Sequence, residues 1–353
     1  MKKFSLFILF CSLLCGLSVA KANIAISFQD DIQDIACAIP HTTIAPRSIS
    51  FLIENNSSLH FNDLMLYLQH APEPLEFASL VLDTINCGAI VNHSLGRVSL
   101  APQEKCEGTM RLTAAVCPEL ADGSYSSLVG TMTRTLALNH FFADPVEINV
   151  NVTPLGAAGA FGLLSPEIDN DDGYGPVEVS YGAVGSLATV GTIHVANGSL
   201  YPDNAEATFF ALQDLSAAYQ MFQSHTSCTV PEYELSNTVL MPGSYCLNGH
   251  SVINQSKLTL QGEGTYVFYV DGEGFYLGPN AAVLLTEGAN ANNVYWVVDN
   301  RLHLSVGSIM TGNILGGESI PYGMFAGARS RVNGRVLSLD TLNLYGNTVR
   351  VPR

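Results

Sequence analysis

Gly312-Asn313-Ile314-Leu315 and Gly334-Arg335-Val336-Leu337 carry the same text 22 residues apart, and that repetition decides the fold of the C-terminal half. Ile309 and Val332 precede the two copies, and Leu342-Asn343-Leu344 trails the second. A period of about 20 residues with glycine at the corners is the pattern of a β-solenoid, in which each coil covers its neighbour's apolar interior. A second sandwich would supply similar strands, but not readily the repeated coil text. Alternation within the copies points Ile309, Ile314, Val332 and Val336 inward. Thr311 and Asn313 then stack outward over Asn333 and Arg335, and these four are the candidate ligand-binding residues.

Working outward, the chain from Leu258 to Leu304 is a run of short strands: Leu258-Thr-Leu260, Tyr266 to Val270, Phe275-Tyr-Leu277, Val283 to Leu285, Val294 to Val298 and Leu302-His-Leu304. Upstream, Ala205 to Ser224 predicts the chain's one clear helix. Phe209, Leu212, Leu215, Tyr219 and Phe222 recur at helical steps, and Asp203 with Glu206 forms a capping-box arrangement. A lone amphipathic helix among strands must lie against a sheet to bury its apolar face. Its polar face is not basic, which argues against a membrane-surface helix. The pattern of this region begins near Leu155, directly after Val152-Thr153-Pro154.

Residues 23–152 read differently. Ile49 to Ile53, Leu64 to Leu68, Leu80 to Leu82, Val98 to Leu100, Gly108 to Val116, Tyr125 to Leu138 and Val146 to Val152 alternate in strand-sized runs between Asn, Pro and Gly turns. That spacing argues for a β-sandwich. The Ile-Ser-Phe-x-Ile-x-Asn-Asn-Ser run from Ile49, then Cys87-Gly88, then Leu100-Ala101-Pro102 before Cys106, resembles bacterial immunoglobulin-like modules. The resemblance implies a Cys87–Cys106 disulfide, which leaves Cys37 for Cys117.

Met1 to Ala22 has the layout of a secretory signal: Lys2 and Lys3, an apolar run from Phe4 to Leu17, and the small-x-small site Ala20-Lys21-Ala22. No later stretch is long and apolar enough to span a bilayer, so no membrane insertion is expected. Without Lys2, Lys3 and Lys21 the formal charge of −16 becomes −19, a balance that excludes nucleic acid as a partner. Arg301, Arg329, Arg331, Arg335, Arg350 and Arg353 gather toward the C-terminus, too sparsely to change that. With 31 Gly and only 13% charged residues, the composition suits sheets and turns. Six cysteines follow residue 22, and export makes disulfides the natural reading. Cys228 and Cys246 flank a loop after the helix, where a bond would pin helix to solenoid.

Residues 155–352 resemble the bacterial ice-binding-protein family. The matching stretches are Leu155-Gly-Ala-Ala-Gly-Ala-Phe161, the helix at 205–224, Met241-Pro-Gly-Ser-Tyr245 and Leu258-Thr-Leu-Gln-Gly262. They continue with Tyr266-Val-Phe268, Gly288 to Trp296, Gly312 to Leu315, Asn333 to Leu337 and Asn347-Thr348. The resemblance implies an irregular right-handed β-solenoid with a long helix packed alongside. It also implies a flat face, often rich in Thr, that holds ice-like water; rigidity matters because ordering a mobile surface would cost affinity. This chain departs from that pattern. From residue 250 onward only Thr259, Thr265, Thr286, Thr311, Thr341 and Thr348 appear, with no Thr-x-Thr ladder, and Arg335 is a poor component of a flat ice face.

The sequence contains no HExxH, Gly-x-Ser-x-Gly or P-loop motif. Asp169 to Gly173 reads as a solvated acidic turn rather than a Ca²⁺ loop, with Ser180 where a twelfth-position Glu would stand. Asp271 and Glu273 read as edge-of-sheet carboxylates rather than a glycosidase pair. Trp296 with Tyr295 reads as core rather than as a glycan patch. The expected organisation is therefore a signal peptide (1–22), an immunoglobulin-like sandwich (23–152) and a β-solenoid domain (153–353). No cofactor and no metal is implied. The expected function is a non-enzymatic secreted binding protein that presents a rigid face to an extended ligand, ice among them. The alternative is an adhesin or host-interaction factor contacting protein or glycan through the solenoid and the Met324-Phe325 corner. A solenoid polysaccharide-active enzyme ranks third, because an acid–base cluster is absent. Oligomeric state is left open.

Overall fold

The structure is a computed structural model of the 353-residue chain. It describes residues 24–28, 34–37, 45–70, 78–92, 94–114, 117, 130–138, 145–203, 205–225, 227–231, 234–248, 251–272, 274–317, 324–326 and 329–353. The signal-like segment 1–22, the run 125–129, Glu273 and residues 321–323 beside the Met324-Phe325 corner lie outside these residues.

Strand-sized alternation builds the N-terminal unit. A four-stranded antiparallel sheet orders Ile24–Phe28, Arg47–Asn55, Lys105–Ala114 and Ala78–Ile85. A six-stranded sheet orders Asp34–Ile35, Val146–Val152, Gly130–Leu138, Phe61–His70, Leu95–Leu100 and Gly88–Asn92. Every second residue points into one shared core: Ile49, Phe51 and Ile53 from the first sheet pack with Leu64, Leu66, Leu68 and Leu136 from the second. This is two-layer sheet packing.

Past Val152 the pairing changes from antiparallel to wholly parallel, and strands pair with the strand two or three elements on rather than the next. That is a chain wound in three-sided coils. One face, here the open face, stacks Val239–Leu240, Lys257–Gln261, Ala282–Thr286, Ile309–Gly316, Arg331–Ser338, Thr348–Arg350, Val177–Ser180 and Ile193–Ala196. A second stacks Gly243–Asn248, Tyr266–Asp271, Val294–Val298, the later halves of 309–316 and 331–338, Phe161–Asn170 and Ala183–Val190. The third carries three-residue strands such as Phe275–Leu277, Leu302–Leu304 and Leu342–Leu344. The leading strand Phe161–Asn170 lies beyond the last repeated coil, so the start of this region closes its far end.

Period-2 alternation fills the coil interior with Leu258, Leu260, Val283, Met310, Ile314, Val332, Val336 and Val349. Trp296 is fully buried there, its ring stacked 4.0 Å from that of Phe268 and its Nε1 donating to Thr311 O at 3.0 Å. One inward assignment is corrected. Met310, not Ile309, pairs with Val332, because the coils are related by a constant 22-residue step; Ile309 pairs with Arg331 and is half-buried on the open face.

The helix α1, Glu206–Gln223, covers the second face, with Phe222 against Tyr295 at 4.7 Å between ring centroids. Leu215, Tyr219 and Phe222 are buried as expected, each worth roughly 1.5–3 kcal/mol. Two expectations fail at its N-terminus. Asp203 does not cap the helix: Ala205 stands at the cap without a side-chain bond, and Asp203 instead accepts from the Thr189 hydroxyl at 3.2 Å. Phe209 is half exposed, while Ala211, Asp214, Ala217 and Ala218 are buried. The buried surface is wide because the helix is covered on two sides: Ala217 packs with Ala36 and Ala114 of the N-terminal unit.

Asp214 lies at that junction. Its Oδ2 accepts from the Arg47 guanidinium, from Ala157 N at 2.6 Å and from Ala36 N at 3.4 Å. Gly156 (φ 51°) lies against it; a Cβ there would stand 2.1 Å from Asp214 Oδ2. Three disulfides are formed, Cys37–Cys117, Cys87–Cys106 and Cys228–Cys246, with Cα separations of 5.1, 5.5 and 5.5 Å.

Candidate functional site

With α1 over the second face, the open face is left as a stack of eight strands in register. Its outer rows run in register: Val239, Thr259 and Leu284 in one, and Lys257, Ala282, Ile309, Arg331, Thr348, Glu178 and His194 in another. At about 4.8 Å per strand, eight strands span about 34 Å. Its two ends differ in chemistry. The end from Val239 to Ile309 bears aliphatic and threonine side chains with Lys257 as the one cation, whereas Arg331 and Arg350 stand on the other.

The four sequence-predicted site residues pair as expected, Thr311 with Asn333 and Asn313 with Arg335. Their exposure differs from expectation. Thr311 is buried and its hydroxyl donates to Val283 O at 2.8 Å. Asn313 is fully buried, its Nδ2 donating to Ala291 O, Asn292 O and Val294 O at 3.1–3.4 Å. Arg335 is half-buried; its Nε donates to Gly159 O at 2.8 Å and its Nη1 to Asn313 Oδ1 at 2.8 Å and Asn292 Oδ1 at 2.9 Å. Burial holds the Arg335 pKa below the usual guanidinium range. Asn313 and Arg335 therefore cross-tie three coil corners. Their side chains leave the coil interior but meet other chain segments rather than water.

Thr311 and Asn333 border a cavity of about 520 Å³ at the margin of the open face. Leu284, Leu285 and Ile309 give it an apolar wall, and Arg350 and Arg353 line it as well. Tyr181 steadies both guanidiniums, with Arg353 Cζ 3.8 Å and Arg350 Cζ 5.6 Å from its ring centroid. Sequence reasoning missed this grouping, although the C-terminal gathering of arginines was its visible signal.

Other candidates are structural. Asp171 Oδ1 accepts from Gly173 N at 2.9 Å, and Asp172 Oδ1 from Thr192 N at 2.8 Å and Asn170 Nδ2 at 3.0 Å, so the acidic turn is tied to itself and to the neighbouring turn at Thr192. Among the described residues no group of three His, Cys, Asp or Glu could hold a metal. His303 stacks on Tyr276 on the third face with ring centroids 5.1 Å apart, and burial lowers its pKa, with Arg301 adding to the shift. Among the described residues no helix is long and apolar enough to cross a membrane.

Comparison with known proteins places this three-sided parallel coil with its covering helix in a family. The sequence pattern of the ice-binding-like family matches residues 170–350. The chain is 25% identical over 271 residues to an ice-binding protein of Flavobacterium frigoris (strain PS1), covering 67% of this chain and 93% of that one. It is 26% identical over 145 residues to ice-binding protein 1 of Shewanella frigidimarina (strain NCIMB 400), a stretch that is 38% of this chain and 16% of that protein. A solved ice-binding protein from the Antarctic ascomycete Antarctomyces psychrotrophicus is 24% identical, covers 56% of this chain and 98% of its own, and has a TM-score of 0.46. This chain belongs to the ice-binding-like family.

Proposed function

We propose that the protein is a non-enzymatic, exported binding protein whose open face engages an extended surface, with ice as the ligand. The observation that supports this most is the in-register stack of parallel strands on the open face: a rigid, evenly spaced surface loses little entropy on binding. Within it, the end bearing Val239, Thr259, Leu284, Thr286 and Ile309 offers methyl and hydroxyl groups with one charge among them. Thr311 and Asn333 mark its border, and Asn313 with Arg335 hold the corner rigid behind it. The coil is read as a right-handed solenoid (153–353), and residues 23–152 as an immunoglobulin-like module that carries it. Three disulfides fit an oxidising destination.

The test is thermal hysteresis and inhibition of ice recrystallisation by the mature protein. Thr259→Tyr raises a bulky ring from the centre of the patch and should abolish both activities, while Tyr276→Ala on the third face should leave them unchanged. Circular dichroism checks that each variant is folded. Inactive folded wild type, or an unaffected Thr259→Tyr variant, would sink the reading.

A further inference from the structure

We infer that the margin cavity, which shares Leu284 and Ile309 with the edge of that patch, binds an amphiphilic carboxylate, an anionic head joined to an apolar body. Its volume of about 520 Å³ is in the usual range for small-molecule pockets. The apolar wall of Leu284, Leu285 and Ile309 calls for a hydrocarbon body, and would be left in water by a bare inorganic anion.

Two other lining residues supply the charge. In a chain of net charge −16, with only 15 Lys and Arg, two arginines line one cavity. Among the described residues neither Arg350 nor Arg353 has a carboxylate partner, unlike Arg47 and Arg97. Both are held against Tyr181, so they are ordered before any ligand arrives, and little entropy is lost when they engage a planar carboxylate. Tyr181 has φ 65°, a left-handed conformation that a bulky side chain rarely adopts, and here its ring meets both arginines. Asn333, half-buried, lines the same cavity and offers an amide to the head group. Charge, pre-ordering and an apolar wall together specify a carboxylate with a hydrocarbon body.

This site lies beyond the ice reading, and either can fail without the other. Isothermal titration of the mature protein with octanoate, 1-octanol and galacturonate separates the contributions. Octanoate should bind, 1-octanol at least about tenfold more weakly for lack of a charge, and galacturonate not measurably for lack of an apolar body. The double variant Arg350→Gln/Arg353→Gln should lose octanoate binding by about tenfold or more while its circular dichroism and ice assays match wild type. Equal binding of octanoate and 1-octanol, galacturonate binding in preference to octanoate, or an unaffected double variant would each overturn the assignment.

Discussion

Asp214 is a carboxylate with no exposed surface in the middle of a helix, and what keeps it there is one arginine from another part of the chain. Burial pushes its pKa up, opposed by the Arg47 charge and by the amides of Ala157 and Ala36. Replacing Arg47 by Met removes the countercharge and leaves the desolvation, so the variant should lose about 3–5 kcal/mol, read from its urea midpoint. Arg47→Met/Asp214→Leu removes both charges and should recover most of that loss. In the single variant the folded state holds its proton at a higher pH than the unfolded chain. Its stability should therefore be greatest below the usual carboxylate range and fall as pH rises through the elevated value. A loss below about 1 kcal/mol in the single variant would show that the pair carries no such role. Nothing in the sequence joins Arg47 to Asp214. They are 167 residues apart, and each alone reads as a surface charge.

At the scale of the element, the coil was legible because its period is written in the side chains. The 22-residue step that relates Gly312 to Gly334 is the step that pairs Met310 with Val332 and Ile314 with Val336. The helix was legible for the same reason, through Leu215, Tyr219 and Phe222. What alternation cannot report is whether the outer side of a strand is covered. Thr311 and Asn313 do leave the coil interior, but Val283, the 291–294 loop and Arg335 close over them. The corner between the faces rests on Gly312, whose φ is 117° and whose Cβ, if present, would stand 2.7 Å from Val294 Cγ1. Gly312→Ala combines a disfavoured backbone with a clash and should cost on the order of 2–3 kcal/mol, measured by chemical denaturation. Gly159→Ala, which meets only Leu155 Cβ at 3.6 Å, is the control and should change little. Comparable losses for both would mean that the corner tolerates a side chain.

For the whole molecule, the question is whether its parts unfold together. The Cys37–Cys117 bond belongs to the N-terminal segment, yet both cysteines are buried in one cluster with Leu155, Ala158, Leu215 and Ala218. The Arg47–Asp214 pair and the Ala36–Ala217 contact join the same two parts. The disulfide spans 80 residues, and in the chain-entropy account closing a loop of that size stabilises by about 4 kcal/mol. If the junction couples the parts, Cys37→Ala/Cys117→Ala must destabilise the coil as well as the segment that holds the bond. Trp296 makes this measurable: it is the chain's one tryptophan and lies fully buried in the coil interior. Its fluorescence transition should therefore move to lower temperature in the double variant, in step with the loss of far-ultraviolet circular dichroism. A Trp296 transition that stays at its wild-type temperature while an earlier dichroism step appears would mean that the coil stands independently of the segment before it.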